Sequence, residues 1–485
     1  NMVFPVIGGD GKPTGYEISN SLMFNDGDAS ILQRTAGANT GEDNATLSFW
    51  FKIANLKTDN NGGTIFSNGG TSGTHIIQLY AQKIYIGSAN FNIMFPNLIR
   101  DCTAWYHLFI AFDSSQGTST NRVKAYLNGV LLTDATGFTT YPDQNENLAL
   151  VTDGNACNIG GRANSGPAEN FDGYLAEFHY IDGTTKAYTD FGKFDDNGVW
   201  IPIEYDGGSY GDNGFYLEFK QTGTSANASG IGADTSGEGH HFALATGNNA
   251  FDGNDIMTDS PTNNFPTWNP LQQNAADPMS GFGQGNLSVT EGSNADWSTC
   301  AATQAVANGK WYWEVRINNL SGSVMPGVLR QAYASTLLAK TSNAHMGKDS
   351  GDLSFGYREN GIFYFNGSTD SGNTTFGSND IVMFALDMDN GAIYTGKNGT
   401  WNDSGDPTSG SSKTGASYTG ISAGEFYSPA VSGSASDFDC LLNAGNVYGQ
   451  YSMSSANTDG LYGEFEYAPP SGYYAICTKR IAEFG

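Results

Sequence analysis

The sequence predicts an all-β protein built from two two-sheet β-sandwiches joined by a Gly/Pro-rich connector. Three observations predict it. Glycine is abundant at 64 of 485 residues, aromatics make up 13% and charged residues 15%, a mixture of turn formers and strand formers. No stretch carries apolar residues at helical spacing for more than about two turns, so helices are expected to be absent or single turns. Short apolar runs instead alternate with turn clusters in two long regions. A chain of 485 residues exceeds one core, and about two to four domains are expected.

The elements follow in order. In the first region, residues 1–205, TLSFWFKI (Thr46 to Ile53) reads as a strand, and HIIQLYAQKIYIGSA (His75 to Ala89) as a hairpin or two successive strands. WYHLFIAFD (Trp105 to Asp113) is nearly all aromatic or β-branched. RVKAYLNGVLL (Arg122 to Leu132) is a hairpin whose turn is Asn128-Gly129, residues that tolerate the positive φ of a type I′ turn. FDGYLAEFHYID (Phe171 to Asp182) is expected to alternate an inward with an outward face. Residues 206–285 hold one clear strand, Phe215 to Phe219, then Gly/Ser/Thr-rich chain, then Pro261, Pro266, Pro270 and Pro278. Proline has no ladder donor, so this segment reads as a connector. Phe242, Phe251, Phe265 and Trp268 need burial, so it should pack on its neighbours.

Residues 286–485 return to strands. GKWYWEVRI (Gly309 to Ile317) alternates Trp311, Trp313 and Val315 with Lys310, Tyr312 and Glu314. LSFGYRENGIFYFNG turns at Asn360-Gly361. DIVMFALDMDNGAIYTGKNGTW turns at Asp389-Asn390-Gly391 and again at Asn398-Gly399. YSPAVSG and FDCLLNAG are two further strands.

Charge and cysteines narrow the function. A net charge of −27 with no Lys/Arg cluster repels phosphate backbones and anionic lipid heads, so nucleic acid is not an expected partner. No run approaches the roughly 18 apolar residues of a membrane helix, and the opening NMVFPVIGG lacks the basic start and apolar core of a secretion signal. Five cysteines, none in a C-x-x-C pair, read as buried thiols rather than a disulfide scaffold.

The first region resembles the laminin-G-like, concanavalin-A-like jelly roll through SNSLMFNDGDASILQRT, TLSFWFKI, WYHLFIAFD, NRVKAYLNG and FDGYLAEFHYIDG. The last region resembles the SPRY domain, a bent two-sheet jelly roll, through GKWYWEV, FALDMDNGAIYTGKNG, YSPAVSG and CLLNAG. Against that pattern, Ser321 to Gly351 reads as a long loop without a counterpart. The order of a laminin-G-like unit, FGKFDDNGVWIPIEYDGGSYGDNGFYLEF, DTSGEGHHFAL, DSPTNNFPTWNP and a SPRY-like unit is similar to tail-fibre or virion-associated lectin-like proteins of tailed phages, marine ones among them. The resemblance implies a protein at the virion surface, and with the sparse catalytic inventory a non-enzymatic binding one. Its expected partners are other virion proteins and a host surface glycan or protein, and analogy suggests a homotrimer. The alternatives are a purely structural decoration or spacer without a ligand and, less favoured, a polysaccharide-degrading enzyme.

Candidate chemistry is sparse. Glycosidases of the sandwich class carry E-x-D-x-x-E, which sets carboxylates on one strand face. Here Glu204-Tyr205-Asp206 meets Ser209 where the second Glu should stand, and the segment leads into Gly207-Gly208. His107 and His179 lie within apolar strands and read as face or core histidines. No G-x-S-x-G, phosphate loop or H-E-x-x-H occurs, and no organic cofactor is expected. The laminin-G-like resemblance allows a Ca²⁺ rim, with Asp26, Asp28, Asn170 and Asp172 as candidates, although DGD and NFD are also common turn sequences. A sugar ring needs an aromatic to stack on. Trp297, Trp401 and Tyr418 lie in loops, where each either contacts a ligand or plugs a sandwich end.

Overall fold

The structure, a computed structural model, describes residues 15–485 apart from 29, 39, 42, 57, 59–62, 70–74, 134–138, 149, 163–168, 246–250, 292–295, 435–437 and 447–452. The chain divides into two compact units, Pro13–Thr262 and Asn263–Gly485. Each is a two-sheet sandwich, as the alternating runs require. The 206–285 connector is therefore shared out rather than separate. Phe215–Leu217, Ala243–Leu244 and Ile256–Met257 add to sheets of the first unit, and Trp268–Gln273 and Gly281–Gly283 to sheets of the second. Burial of its aromatics drives this: Phe242, Phe251, Phe265 and Trp268 are all buried.

In the first sandwich one sheet runs Val130–Leu131, Val123–Leu127, Tyr106–Asp113, Asn44–Ile53, Gly173–Asp182, Ser21–Phe24, Ile256–Met257. The other runs Ala243–Leu244, Leu32–Thr35, Ala156–Ile159, Thr64–Asn68, His75–Tyr80, Lys83–Ser88, Asn92–Leu98. Their inner faces enclose Phe49, Phe66, Phe178 and Ile110. The expected turn at Asn128-Gly129 has φ of 49° and 74°, as a type I′ turn requires. Gly173–Asp182 alternates as expected, with Leu175, Phe178 and Tyr180 in the inter-sheet core and His179 and Ile181 on the outer face, but neither face meets water. All ten residues are buried, because Phe191, Tyr205, Tyr210 and Tyr216 cover the outer face of its sheet. A bulge breaks its pairing with Asn44–Ile53 between Ala176 and His179, and places Glu177 at φ 49°.

In the second sandwich one sheet runs Trp268–Gln273, Ser298–Ala302, Tyr427–Ser434, Ser323–Arg330, Phe355–Arg358, Ile362–Phe365, Ser368–Ser371. The other runs Gly281–Gly283, Ser288–Glu291, Phe438–Asn443, Lys310–Leu320, Ile381–Asp387, Ala392–Lys397, Thr400–Trp401. Trp311, Trp313 and Phe384 fill the space between them. The expected loop Ser321 to Gly351 is a correction: it contains the central strand Ser323–Arg330 and the helix Gln331–Leu338. Pro326 hid the strand from the sequence, since proline donates nothing to a ladder. Its position is tolerated because the neighbour Phe355–Arg358 pairs only at Gly327 and Val328. Helices are thus not limited to single turns; Gln331–Leu338 and Thr478–Phe484 have eight and seven residues. Among the described residues no helix is long and apolar enough to cross a membrane. All five cysteines are buried.

Candidate functional site

The first sandwich gathers polar side chains on the covered outer face of its larger sheet. Strand alternation puts Ser48, Trp50 and Lys52 on that face, and the bulge turns Glu177 and His179 to the same side. Ser48 Oγ lies 2.8 Å from His107 Nε2, and Trp200 Nε1 donates to His107 Nδ1 at 3.0 Å. An indole N–H can only donate. Nδ1 must therefore accept, Nε2 carries the proton, and His107 donates to Ser48. That tautomer cannot take a proton from the serine, so this Ser–His pair is not a nucleophile and its base. Burial, with His179 nearby, pushes the His107 imidazole down to about 3, which holds it neutral.

Beside this pair, Glu177 accepts from the hydroxyls of Tyr16 (2.9 Å) and Tyr216 (2.6 Å). His179 Nδ1 meets Tyr210 OH at 2.8 Å, and its ring stacks on Tyr216 at 4.0 Å. Burial and the Glu177 charge push the Tyr16 and Tyr216 phenols up, keeping both as donors. The cleft that Ser48, His107, Glu177 and Phe191 line measures about 10 Å³, room for a water but not for a sugar. Glu204 and Asp206 are exposed on a loop after the strand Trp200–Pro202, away from any paired carboxylate strand.

The calcium candidates fall in two places. Asp26 and Asp28 form one helical turn, where Asn25 Nδ2 donates to Asp28 Oδ2 at 2.8 Å. Asp28 and Asp252 help burial push the Asp255 carboxyl up to about 7. Asn170 is buried with its Oδ1 over Gly161, where a Cβ would lie 2.4 Å away. Asp172 is also buried, its carbonyl accepts from Ala54 N–H at 3.0 Å, and its charge bears on Tyr174. Among the described residues no three His, Cys, Asp or Glu side chains gather where they could hold a metal ion.

In the second sandwich the three candidate aromatics differ. Tyr418 stacks on Phe365 at 4.8 Å and Phe355 at 6.2 Å, packed against the inter-sheet core. Trp401 packs edge-on to Tyr312 at 6.4 Å, on the apolar layer outside the larger sheet. Trp297 is half-buried at the start of Ser298–Ala302, among polar groups. The Arg358 guanidinium sits 5.2 Å over its ring, and His345 lies 5.0 Å away and tilted. Arg358 Nη2 donates to Ser323 Oγ at 2.8 Å, and its Nε to Glu359 at 3.2 Å. His345 also meets Tyr364 edge-on at 5.0 Å. This groups an aromatic ring, a cation and hydroxyls, the kit that recognises a polar ring. Sequence reading found Trp297 but not Ser323, His345, Arg358 or Tyr364. Those come from separate strands and a loop, and no spacing announces their meeting.

Comparison with known proteins locates the fold. The family model of the concanavalin A-like lectin/glucanases superfamily, laminin-G type, matches residues 25–187. That stretch lies within the first sandwich and is similar to this family. No curated protein matches the chain. Solved structures similar to it include the SPRY domain of human HERC1, at 20% identity and TM-score 0.26, covering 36% of this chain and 96% of that one. A protein from Bacteroides ovatus ATCC 8483, named for a proposed carbohydrate-binding role, is similar at 12% identity and TM-score 0.31 over 47% of this chain and 58% of its own. A heptameric SAP-like pentraxin from Limulus polyphemus is similar at 18% identity and TM-score 0.25, over 36% and 80%.

Proposed function

We propose that this chain is a non-enzymatic, lectin-like component of a bacteriophage particle surface, which binds a host glycan or protein alongside other virion proteins. The laminin-G-like domain supports the lectin reading. The order of sequence blocks, with SPRY-like strands such as GKWYWEV in the second sandwich, supports the virion reading. The observation that carries binding is Trp297, a half-buried indole pinned by Arg358 and flanked by His345. The locked tautomer of His107 rules out a nucleophile–base reading of its pair with Ser48.

The test is binding of the full chain to host cells and their extracted surface polysaccharide, with and without EDTA. Saturable binding that free polysaccharide competes is the expected result, and Trp297→Ala should weaken it about five- to thirtyfold, as loss of a stacking contact of about 1–2 kcal/mol predicts. Loss of binding in EDTA would implicate the loops of Asp26, Asp28, Asn170 and Asp172. A reducing-sugar signal from host capsule would overturn the non-enzymatic reading, and absence of the chain from purified particles the virion reading.

A specific observation favours a second reading, a structural decoration or spacer. Val130 and Leu131 are 60% and 48% exposed, and Phe194 and Val199 are 48% and 56% exposed. Their two hairpins both adjoin Trp200, which contacts Gly129, Gly192 and Phe194. An apolar edge of this kind fits a neighbouring subunit. A trimer by light scattering that Val130→Lys dissociates, without any polysaccharide binding by the parent protein, would move the assignment there.

A further inference from the structure

The same outer face of the first sandwich carries a lysine that water cannot reach. Lys52 Nζ lies 2.8 Å from Asp259 Oδ2, and the two side chains are 1% and 0% exposed. Lys52 stands in the long strand Asn44–Ile53, and Asp259 lies 207 positions later, just beyond Ile256–Met257. Around them the site is aromatic. The Lys52 ammonium sits 5.5 Å from the centroid of Tyr174, and Trp105 Nε1 donates to Asp259 Oδ1 at 2.9 Å. The Asp259 carbonyl is itself held by Ser21 Oγ at 2.5 Å. Two opposite charges in such a place have lost their hydration, and their attraction recovers only part of it. Neutralising both is the route by which a dry site lowers that cost.

We propose that Lys52 and Asp259 condense into an intramolecular isopeptide bond. Every requirement of the step is local. One proton passes from Nζ to Oδ2 along their hydrogen bond, giving an amine and a carboxylic acid. The amine lone pair attacks Asp259 Cγ and a C–N bond forms. Oδ1 carries the developing negative charge, and the Trp105 indole N–H already points at it, as an oxyanion donor must. A second proton moves from nitrogen to Oδ2, the Cγ–Oδ2 bond breaks, and water leaves. The three protons of the ammonium are thereby accounted for: one stays on the amide nitrogen and two depart with Oδ2. No oxidant, cofactor or second protein is required. The fold supplies what two amino acids in water lack, a fixed approach and exclusion of the water that would reverse the reaction.

Intact-mass measurement of the full chain tests this without any variant. The expected mass is short of the sequence mass by one water. A protease digest should yield the Lys52 and Asp259 segments as a single branched peptide, with no tryptic cleavage after Lys52. Lys52→Met should restore the unshortened mass for its own sequence and give two separate segments. Full sequence mass with separate segments, after prolonged incubation of the folded protein, would overturn the proposal. So would a missing water that fragmentation assigns to a succinimide at Asp259-Ser260 rather than to a branch at Lys52.

Discussion

Both sandwiches cover the outer face of their larger sheet with chain, and both bury a glutamate beneath the cover, but they satisfy it differently. In the first, Glu177 accepts from two tyrosine hydroxyls and lies among His107, His179 and Ser48. In the second, the layer is Tyr312, Met383, Ala385, Tyr394, Phe465 and Tyr473, with Glu314 as its acid. Glu314 accepts from Tyr312 OH (2.8 Å) and from the backbone N–H of Glu466 (3.0 Å) and Tyr467 (2.8 Å). One cover is therefore tied down by side chains meeting side chains. The other is tied by a side chain holding the backbone of the segment that covers it. Side-chain networks depend on every member being present, whereas a backbone donor survives every substitution except proline.

The sharpest way to break the comparison is His107→Ala. It strands the Trp200 indole N–H and the Ser48 hydroxyl and opens a cavity beside Trp50, so about 4 kcal/mol should be lost from the first sandwich. Denaturant unfolding followed by tryptophan fluorescence would measure it, and a loss below about 1 kcal/mol would contradict the network. Glu314→Ala should cost somewhat less, about 3 kcal/mol, because two backbone donors are left without their acceptor. Glu314→Gln, which keeps one acceptor oxygen, should recover much of that.

A finer test uses pH, since the two buried groups pull in opposite directions. His107 is held near 3 instead of 6.5, so the native state prefers it neutral. Its contribution is fully present above pH 6.5 and is lost as pH falls toward 3. Burial pushes Glu314 from 4.5 up to about 7, so the native state prefers it protonated. Its contribution is fully present below pH 4.5 and is lost as pH rises through 7. Compared with the parent, His107→Gln should flatten the acid side of the stability profile and Glu314→Gln the neutral side. Calorimetric scans across that range would show it, and identical profiles for parent and variants would refute the assignment.

Much of the fold could be read from residue order. Asn128-Gly129 and Asn398-Gly399 mark tight turns because few other pairs accept positive φ twice, and both take it. Trp311, Trp313 and Val315 face the inter-sheet core as their spacing of two demands. What was missed has a common cause. The alternation of Phe171 to Asp182 does not say what meets its outer face, and nothing local reveals that Phe191, Tyr205 and Tyr210 fold back over it. Pro326 disguised a central strand because its missing donor matters only in relation to neighbours the sequence does not identify. At the candidate binding site, Trp297 was legible as a loop aromatic, but Arg358 and His345 lie 61 and 48 positions away.

The sequence by itself determined the all-β class, the two sandwiches and most turns, since these follow from local periodicity and from backbone angles that single residues permit or forbid. Tertiary structure decided which faces are covered and which polar groups meet. It brought Ser48 to His107 and Lys52 to Asp259, across 59 and 207 positions. It also set the protonation of His107 and Glu314, because burial and hydrogen-bond partners depend on the surroundings of a group rather than on its neighbours in the chain.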